Sequence, residues 1–369
     1  MSGRQAGEPT RDDERRTPLT VTVTGAAGML GRHLVERLVA DGDSVVALDV
    51  APEVHDLAPA GAPGPRPRTV RADVRDAAAV RAAVAGADVV VHAAAALPSY
   101  PAAEIVDVDV RGTESVLAAA RSAGVPRVVH VSSTAVYGLP EHVPTPETAD
   151  FGPVDPYSRA KIEAELACRA ARAEGLTVPV LRPKTFLGPQ RLGLFAMLFQ
   201  WADEGRHFPL LDGGRVRTQM LDVEDLVAAT CAAVRGPAKR VNTDVNIAAT
   251  EFGTLAEDFQ AVLDEAGYGR RIRSVPAAPA LPLLRLLDST GLSPVYGRLL
   301  AKLRRDSYVT TDRAAAVLGF RPRWSNRASI LRTYRWWREN QAALAATPAG
   351  RTHRSPWREG ALRVAKLAF

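Results

Sequence analysis

Cysteine is scarce in this chain: two residues, Cys168 and Cys231, among 369. They stand far apart, with no CxxC and no His/Cys cluster at ligand spacing, so neither a disulfide framework nor a metal site is expected. A reducing, cytoplasmic setting is the plain reading. Long apolar runs are missing as well, since no stretch approaches the ~20 apolar residues of a membrane span. "MSGRQAGEPTRDDERRTP" lacks the apolar centre of a signal peptide, and residues 1–18 are expected to form a disordered tail. Aromatics make up 6% of the chain and do not interleave with a basic stripe. The formal charge is +6, but the segment from Leu344 to Phe369 holds five Arg/Lys against one Glu, which leaves the body nearly neutral. A nucleic-acid partner is therefore not expected.

What the chain does contain is alternation. "VTVTGAAGMLGRHLVERL" (Val21 to Leu38) sets a β-favouring run, a turn with Gly25, Gly28 and Gly31, and an amphipathic helical pattern in sequence. Glycines at that spacing let the chain turn sharply, bring bare backbone to a ligand and pack the helix start on the strand. The unpaired N–H groups of the first helical turn suit a pyrophosphate. Short apolar runs then recur between helical patterns: "SVVALDV", "TVRADVRD", "ADVVVHAAA", "RVVHVSS" and "TVPVLRP". That rhythm predicts an α/β fold, a parallel sheet covered on both faces, with ligands at the carboxyl ends of the strands. Beyond Pro189 the rhythm breaks, "MLDVEDLVAATCAAV" returns to the sheet, and a leucine-rich, proline-broken stretch runs from Pro276 to Arg305. These later parts read as a smaller substrate-side region.

The chemistry sits in "DPYSRAKIEAELACRAARAEG", where Asp155 is the expected N-cap, Pro156 the first helical residue and Gly175 the far end. Tyr157 and Lys161 are four apart and share a helix face. A phenol with an ordinary pKa of about 10 is a poor base at neutral pH, but an ammonium and a helix N-terminus both favour its phenolate. Tyr157 can then exchange a proton with a substrate hydroxyl or carbonyl. The plain alternative is an ordinary Tyr/Lys pair on an exposed face. Ser133, just past a strand end, can hold the substrate oxygen, with Ser132 and Thr134 as close rivals and simple turn hydrogen bonding as the other reading.

Taken together, "TGAAGMLG", Asp49, "ADV" at Ala72 to Val74, "VHAAA", "VSSTAVYG", "YSRAK", "LRPKTFLGP" and "LDVEDL" resemble an extended short-chain dehydrogenase/reductase of the NAD-dependent epimerase/dehydratase group, over roughly Thr20 to Asn340. The resemblance implies a Rossmann-like, doubly wound parallel sheet over 19–185, with a return near 220–249. It implies a smaller C-terminal substrate-binding region from 186–219 and 250–340, and a homodimer. Ser133, Tyr157 and Lys161 are its implied catalytic trio. Gly25, Gly28, Met29, Leu30 and Gly31 would line the pyrophosphate, with Asp73 and Val74 near the adenine. Ala93, Pro183, Tyr157 and Lys161 would complete the cofactor site, and Thr134, Thr185, Arg191 and Arg217 would meet substrate. Asp49, ending the second strand, can accept from ribose hydroxyls and would repel a 2′-phosphate, which favours NAD over NADP. Arg32 near the glycine turn is the counter-signal.

Three departures matter. Asp109, in "VDVDVRGT", takes the place where sugar-nucleotide members usually carry asparagine, and Thr185 replaces another asparagine. Arg217 is one residue out of register. The leading expectation is an epimerase or dehydratase of an activated, nucleotide- or lipid-linked sugar. The leucine-rich stretch resembles relatives of 3β-hydroxysteroid dehydrogenases and keeps a second reading, an oxidoreductase of a hydrophobic alcohol or ketone. A noncatalytic NAD-binding regulator is the third, disfavoured by retention of the whole trio. Residues 341–369 read as a basic amphipathic tail. On a helix from Pro356, Trp357, Ala361, Val364, Ala365 and Ala368 share a face, preferred for docking on the body or a second subunit, with peripheral contact to an anionic membrane as the alternative.

Overall fold

The computed structural model describes residues 17–57, 66–190, 195–282 and 305–345. The expectations for the tail before Thr17, for Arg191, for most of the leucine-rich stretch and for the chain beyond 345 lie outside the described residues.

The first half alternates strand and helix: β1 (Thr20–Thr24), α1 (Met29–Ala40), β2 (Ser44–Asp49), β3 (Arg68–Arg71), α2 (Ala77–Val84) and β4 (Val89–His92). Then come α3 (Ala102–Val106), a widened π-type turn at Asp107–Arg111, α4 (Gly112–Ser122), β5 (Val128–Val131), α5 (Pro156–Ala173) and β6 (Val180–Pro183). β7 (Phe186–Leu187), α6 (Phe195–Asp203), β8 (Phe208–Leu211), β9 (Leu221–Asp222), α7 (Val223–Arg235), α8 (Ala238–Val241) and β10 (Asp244–Ile247) follow. The described chain ends with α9 (Leu255–Ala266), β11 (Ile272–Val275), α10 (Asp312–Leu318), α11 (Asn326–Glu339) and α12 (Gln341–Ala345).

Seven strands form one sheet in the order β10-β6-β5-β4-β1-β2-β3, all parallel. Strand order reverses direction between β1 and β4, which makes their carboxyl ends the crevice of a doubly wound sheet. Both faces are covered, so the central strands are apolar on both sides rather than alternating. β1, β4 and β5 bury nearly every residue. One face packs on Leu30, Leu34 and Leu38 of α1 and Leu226 and Val227 of α7. The other packs on Val80 and Val84 of α2, Val116 and Ala120 of α4, and Cys168 and Ala171 of α5.

A separate apolar cluster, with Phe199, Trp201, Phe208, Phe259, Ile330 and Tyr334, joins α6, β8, α9 and α11. Two small parallel pairs, β8 with β11 and β7 with β9, belong to this second half. Among the described residues no helix is long and apolar enough to cross a membrane.

Candidate active site

The glycine turn follows β1 and feeds α1. Gly25 has φ +70°, and a Cβ there would stand 2.6 Å from the Ala94 nitrogen and 2.7 Å from the Ala93 carbonyl carbon. The backbone after β1 is thus pressed against the backbone after β4, which no side chain would permit. A Cβ on Gly31 would come within 2.1 Å of the Gly25 oxygen, so the third glycine serves close packing of α1 on the turn. Gly28 is the N-cap of α1 and supplies no side-chain cap. By contrast Asp76, Asp155, Asp222, Thr254 and Ser325 each cap their helices. The first turn of α1, with Met29 and Leu30 buried beneath it, is left to bind an anion through its N–H groups.

Asp49 closes the far side. Its two oxygens accept from the Ala27 amide at 2.9 Å and the Ala51 amide at 2.8 Å. Burial lifts its carboxyl above the ordinary range, against the pull of those amides and of Arg32. Arg32 donates from Nε to the Ala27 carbonyl and from Nη2 to the Glu53 carbonyl, at 3.1 and 3.2 Å. Asp73 lies past β3 and is clamped by Arg75, whose Nη2 donates to it at 2.6 Å. That bond holds the Asp73 carboxyl below its ordinary range. Val74 packs so closely under α4 that a Cβ on Gly112 would meet it at 2.8 Å. These residues fit a dinucleotide: an uncapped helix start for the pyrophosphate, with a carboxylate beside it for ribose hydroxyls.

Ser133 lies just past β5, and Tyr157 and Lys161 stand on the first turns of α5. The three rival hydroxyls separate by their partners. Ser132 donates to Glu165 Oε1 at 2.5 Å, and Thr134 donates to the Pro183 carbonyl at 3.3 Å. Ser133 accepts from the Ala135 amide at 3.1 Å and remains half-buried. Asp155 and Ser158 form a capping box at the start of α5, with Pro156 at its first position, and Gly175 follows the helix with φ +97°. Tyr157 is half-buried on the first turn, packed among Ala96, Ile105 and Ala160. Lys161 Nζ lies 5.7 Å from the centre of its ring.

Lys161 also carries a contact that sequence spacing could not show. Its Nζ donates to Asp109 Oδ1 at 3.2 Å, and the two side chains are 2% and 0% exposed. Asp109 is brought there by the π-type turn, an extra backbone bulge that rotates one residue inward. The turn is braced from behind. Thr113 Oγ1 donates to the Asp109 carbonyl at 2.6 Å and meets His92 Nε2 at 3.0 Å, while His92 Nδ1 meets Thr24 Oγ1 at 2.8 Å. Because Thr113 spends its proton on the carbonyl, His92 donates from Nε2 and accepts at Nδ1. Burial pushes the His92 pKa down to about 3, so the ring is neutral. Desolvation alone would push Lys161 down, but the Asp109 and Tyr157 oxygens more than offset it and hold the ammonium above its ordinary range. Burial lifts Asp109 while the ammonium and the Ala96 amide pull it back. For the pair as a whole the ionised form wins, because each charge is the other's nearest stabilising group.

The substrate-side residues are less concentrated. Thr185, beyond β6, is exposed, and its carbonyl accepts from the Leu221 amide at 3.1 Å. Arg217 is exposed and lies over the rings of Phe252 and Tyr308, at 4.9 and 5.2 Å. Lys184 donates to the Ser307 carbonyl and hydroxyl at 2.9 and 2.7 Å. It ties the end of β6 to the 305–310 segment. Its signal was a lysine inside the "LRPKTFLGP" block. Among the described residues no cluster of His, Cys, Asp or Glu could hold a metal ion.

Comparison with known proteins agrees with this geometry. The model of the NAD dependent epimerase/dehydratase family matches residues 21–248. An uncharacterized Sinorhizobium fredii protein, y4nG, is 33% identical over 95% of this chain and 86% of its own length. A 4-hydroxy-2-methyl-3-oxo-4-farnesyl-3,4-dihydroquinoline-1-oxide ketoreductase from Stigmatella aurantiaca is 32% identical over 84% of this chain and 93% of its own. Among solved structures, the dTDP-glucose 4,6-dehydratase DesIV from Streptomyces venezuelae, with NAD and TYD bound, superposes with a TM-score of 0.70. It is 29% identical and covers 88% of this chain and 98% of DesIV. With the glycine turn, the acidic end of β2 and the Tyr/Lys helix all in place on a doubly wound sheet, the chain belongs to the NAD dependent epimerase/dehydratase family.

Proposed function

We propose that this protein is an NAD-dependent enzyme that moves a hydride at a carbinol or ketone carbon of an activated sugar. The observation that supports the reading is Lys161 Nζ lying 5.7 Å from the centre of the Tyr157 ring at the start of α5, with Ser133 just past β5. Bound NAD would supply the hydride acceptor and, once reduced, the donor. Gly28 and the first turn of α1, which has no side-chain cap, would hold its pyrophosphate, and Asp49, beside that turn, would order the ribose hydroxyls. Tyr157 exchanges the proton of the substrate oxygen, Ser133 holds that oxygen, and Lys161 stands beside the phenol.

A sugar substrate is supported by the sugar dehydratases and reductases among the relatives. Net reduction of a ketone is the second reading, favoured by the ketoreductase relative and by Asp109 and Thr185 where sugar-nucleotide members usually carry asparagine. Incubation of the protein with NAD or NADH and a panel of dTDP- and UDP-linked hexoses and 4-keto-hexoses separates these outcomes. An isomer or a keto-deoxy product without net NADH supports transient hydride transfer, and stoichiometric NADH consumption with a keto-sugar supports reduction. No conversion of any sugar, with turnover of an apolar ketone instead, would remove the sugar assignment. Asp49→Ala should weaken NAD by about tenfold, the loss of roughly one charge-assisted hydrogen bond. It should also bring NADP closer to parity, and tighter native binding of NADP than NAD in calorimetry would contradict the role of Asp49.

A further inference from the structure

The buried pair beside Tyr157 changes what Lys161 can do for the phenol. An ammonium near a phenol favours the phenolate, because the positive charge stabilises the negative one. Here the ammonium already faces a carboxylate at 3.2 Å, and neither side chain is screened by solvent. A carboxylate that close cancels most of the field the lysine would project onto its other neighbour. A neutral amide at position 109 would accept the same hydrogen bond without cancelling the charge.

The other groups around the lysine do not replace what Asp109 takes away. His92 from β4 and His130 from β5 are both neutral, pushed well down by burial. Glu165, one turn along α5, is held by Arg182 Nε and Nη2. From the turn after β5, Tyr137 gives its hydroxyl to Asn246 and takes a bond from Arg182. Asp109 is thus the charged group from a neighbouring element that bonds to Lys161.

We propose that Asp109 is a positioning residue that, by pairing with Lys161, keeps the Tyr157 phenol protonated and sets the site to donate a proton, the direction of ketone reduction. This rests on the reading of Tyr157 as the acid/base group. In that direction a carbonyl carbon receives a hydride from reduced nicotinamide, the C=O π bond opens, and its oxygen takes the phenolic proton. The products are an alcohol and oxidised nicotinamide, and the tyrosinate recovers its proton from solvent.

The test needs no substrate. Tyrosinate absorbance is titrated in the full-length protein bound to NAD, and the Tyr157 contribution is the part missing from Tyr157→Phe. In Asp109→Asn that contribution should move to lower pH by about one unit or more, the size of an uncompensated charge a few ångströms away. Asp109→Ser, a second neutral residue, should move it the same way, so the result does not hang on one variant folding. Superimposable titrations in native and neutral variants overturn the proposal. So does tyrosinate from Tyr157 already present at neutral pH in the native protein, which requires neither Asp109 variant. Turnover is read alongside. If Tyr157→Phe keeps its activity, the acid/base reading itself falls; if it is inactive while the titrations superimpose, only the role of Asp109 falls.

Discussion

Glu165 and Lys161 stand one turn apart on α5, and each faces a buried partner of opposite charge. Arg182 grips Glu165 through Nε at 2.9 and 3.1 Å and through Nη2 at 2.5 Å. The same guanidinium reaches Asp244, Tyr137 and the Glu147 carbonyl, while Ser132 supplies Glu165 with a further donor. Both side chains of this pair are 0% exposed, and neither appears among the buried groups short of a partner. Lys161 and Asp109 share one bond at 3.2 Å, and Asp109 Oδ2 is buried with no hydrogen-bond partner. A fully satisfied network resists change, whereas a buried pair with an unmet lone pair is held less firmly. The first pair locks β6, α5 and β10 together. The second, equally dry, stands beside the Tyr157 ring.

Breaking the locked pair should have the largest effect. Arg182→Met takes the paired cation from the buried Glu165, which keeps the Ser132 donor, while Arg169 and Arg172 still hold Asp244, and should cost about 3 kcal/mol in denaturant unfolding. A loss below ~1 kcal/mol would erase the contrast between the two pairs.

Acid probes the brace behind the second pair. His92 is neutral in the fold with a pKa of about 3, against about 6.5 in the unfolded chain. A depressed histidine contributes stability that is present above the unfolded pKa and is lost as pH falls toward the folded one. Between pH 6.5 and pH 5 this group alone should remove ~2 kcal/mol. His92→Gln should flatten that part of the stability profile, and identical slopes in both proteins would show that the ring is not held neutral.

The smallest effects distinguish adjacent serines. Ser132→Ala withdraws a donor from a buried carboxylate and should cost about 1.5 kcal/mol of stability. Ser133→Ala should cost only about 0.5 kcal/mol, the cap it gives the Ala135 amide, while turnover falls about tenfold, the worth of one hydrogen bond to the reacting oxygen. The reverse pattern would exchange their roles.

Much of this was legible from residue order. Short apolar runs between helical patterns foretell a covered parallel sheet because strands buried on both faces cannot alternate polar and apolar residues. The Asp155 cap, Pro156 and Gly175 mark both ends of α5 by local chemistry alone. The glycine spacing found the turn, since only glycine tolerates the approach of Gly25 to Ala93 and Ala94. What local pattern could not reveal are partners far apart in the chain. Asp109 was visible as a departure from the usual asparagine, but its bond spans 52 residues and depends on a π-type bulge that has no sequence period of its own. Arg182 inside the buried strand "VLRP" was a signal left unread, because an arginine there requires buried carboxylates. Ser132 and Thr134 are close rivals of Ser133 by sequence alone, and Glu165 and the Pro183 carbonyl claim those two.

The central claim is that Tyr157 moves the substrate proton in an NAD-dependent hydride transfer. Tyr157→Phe keeps the ring and removes only the hydroxyl, so turnover and NAD binding measured on the same preparation test it most directly. Turnover should fall by about a hundredfold or more, as for loss of a positioned acid/base, with NAD affinity within about twofold of native, since the ring contacts that shape the site remain. Near-native turnover in that variant would contradict it.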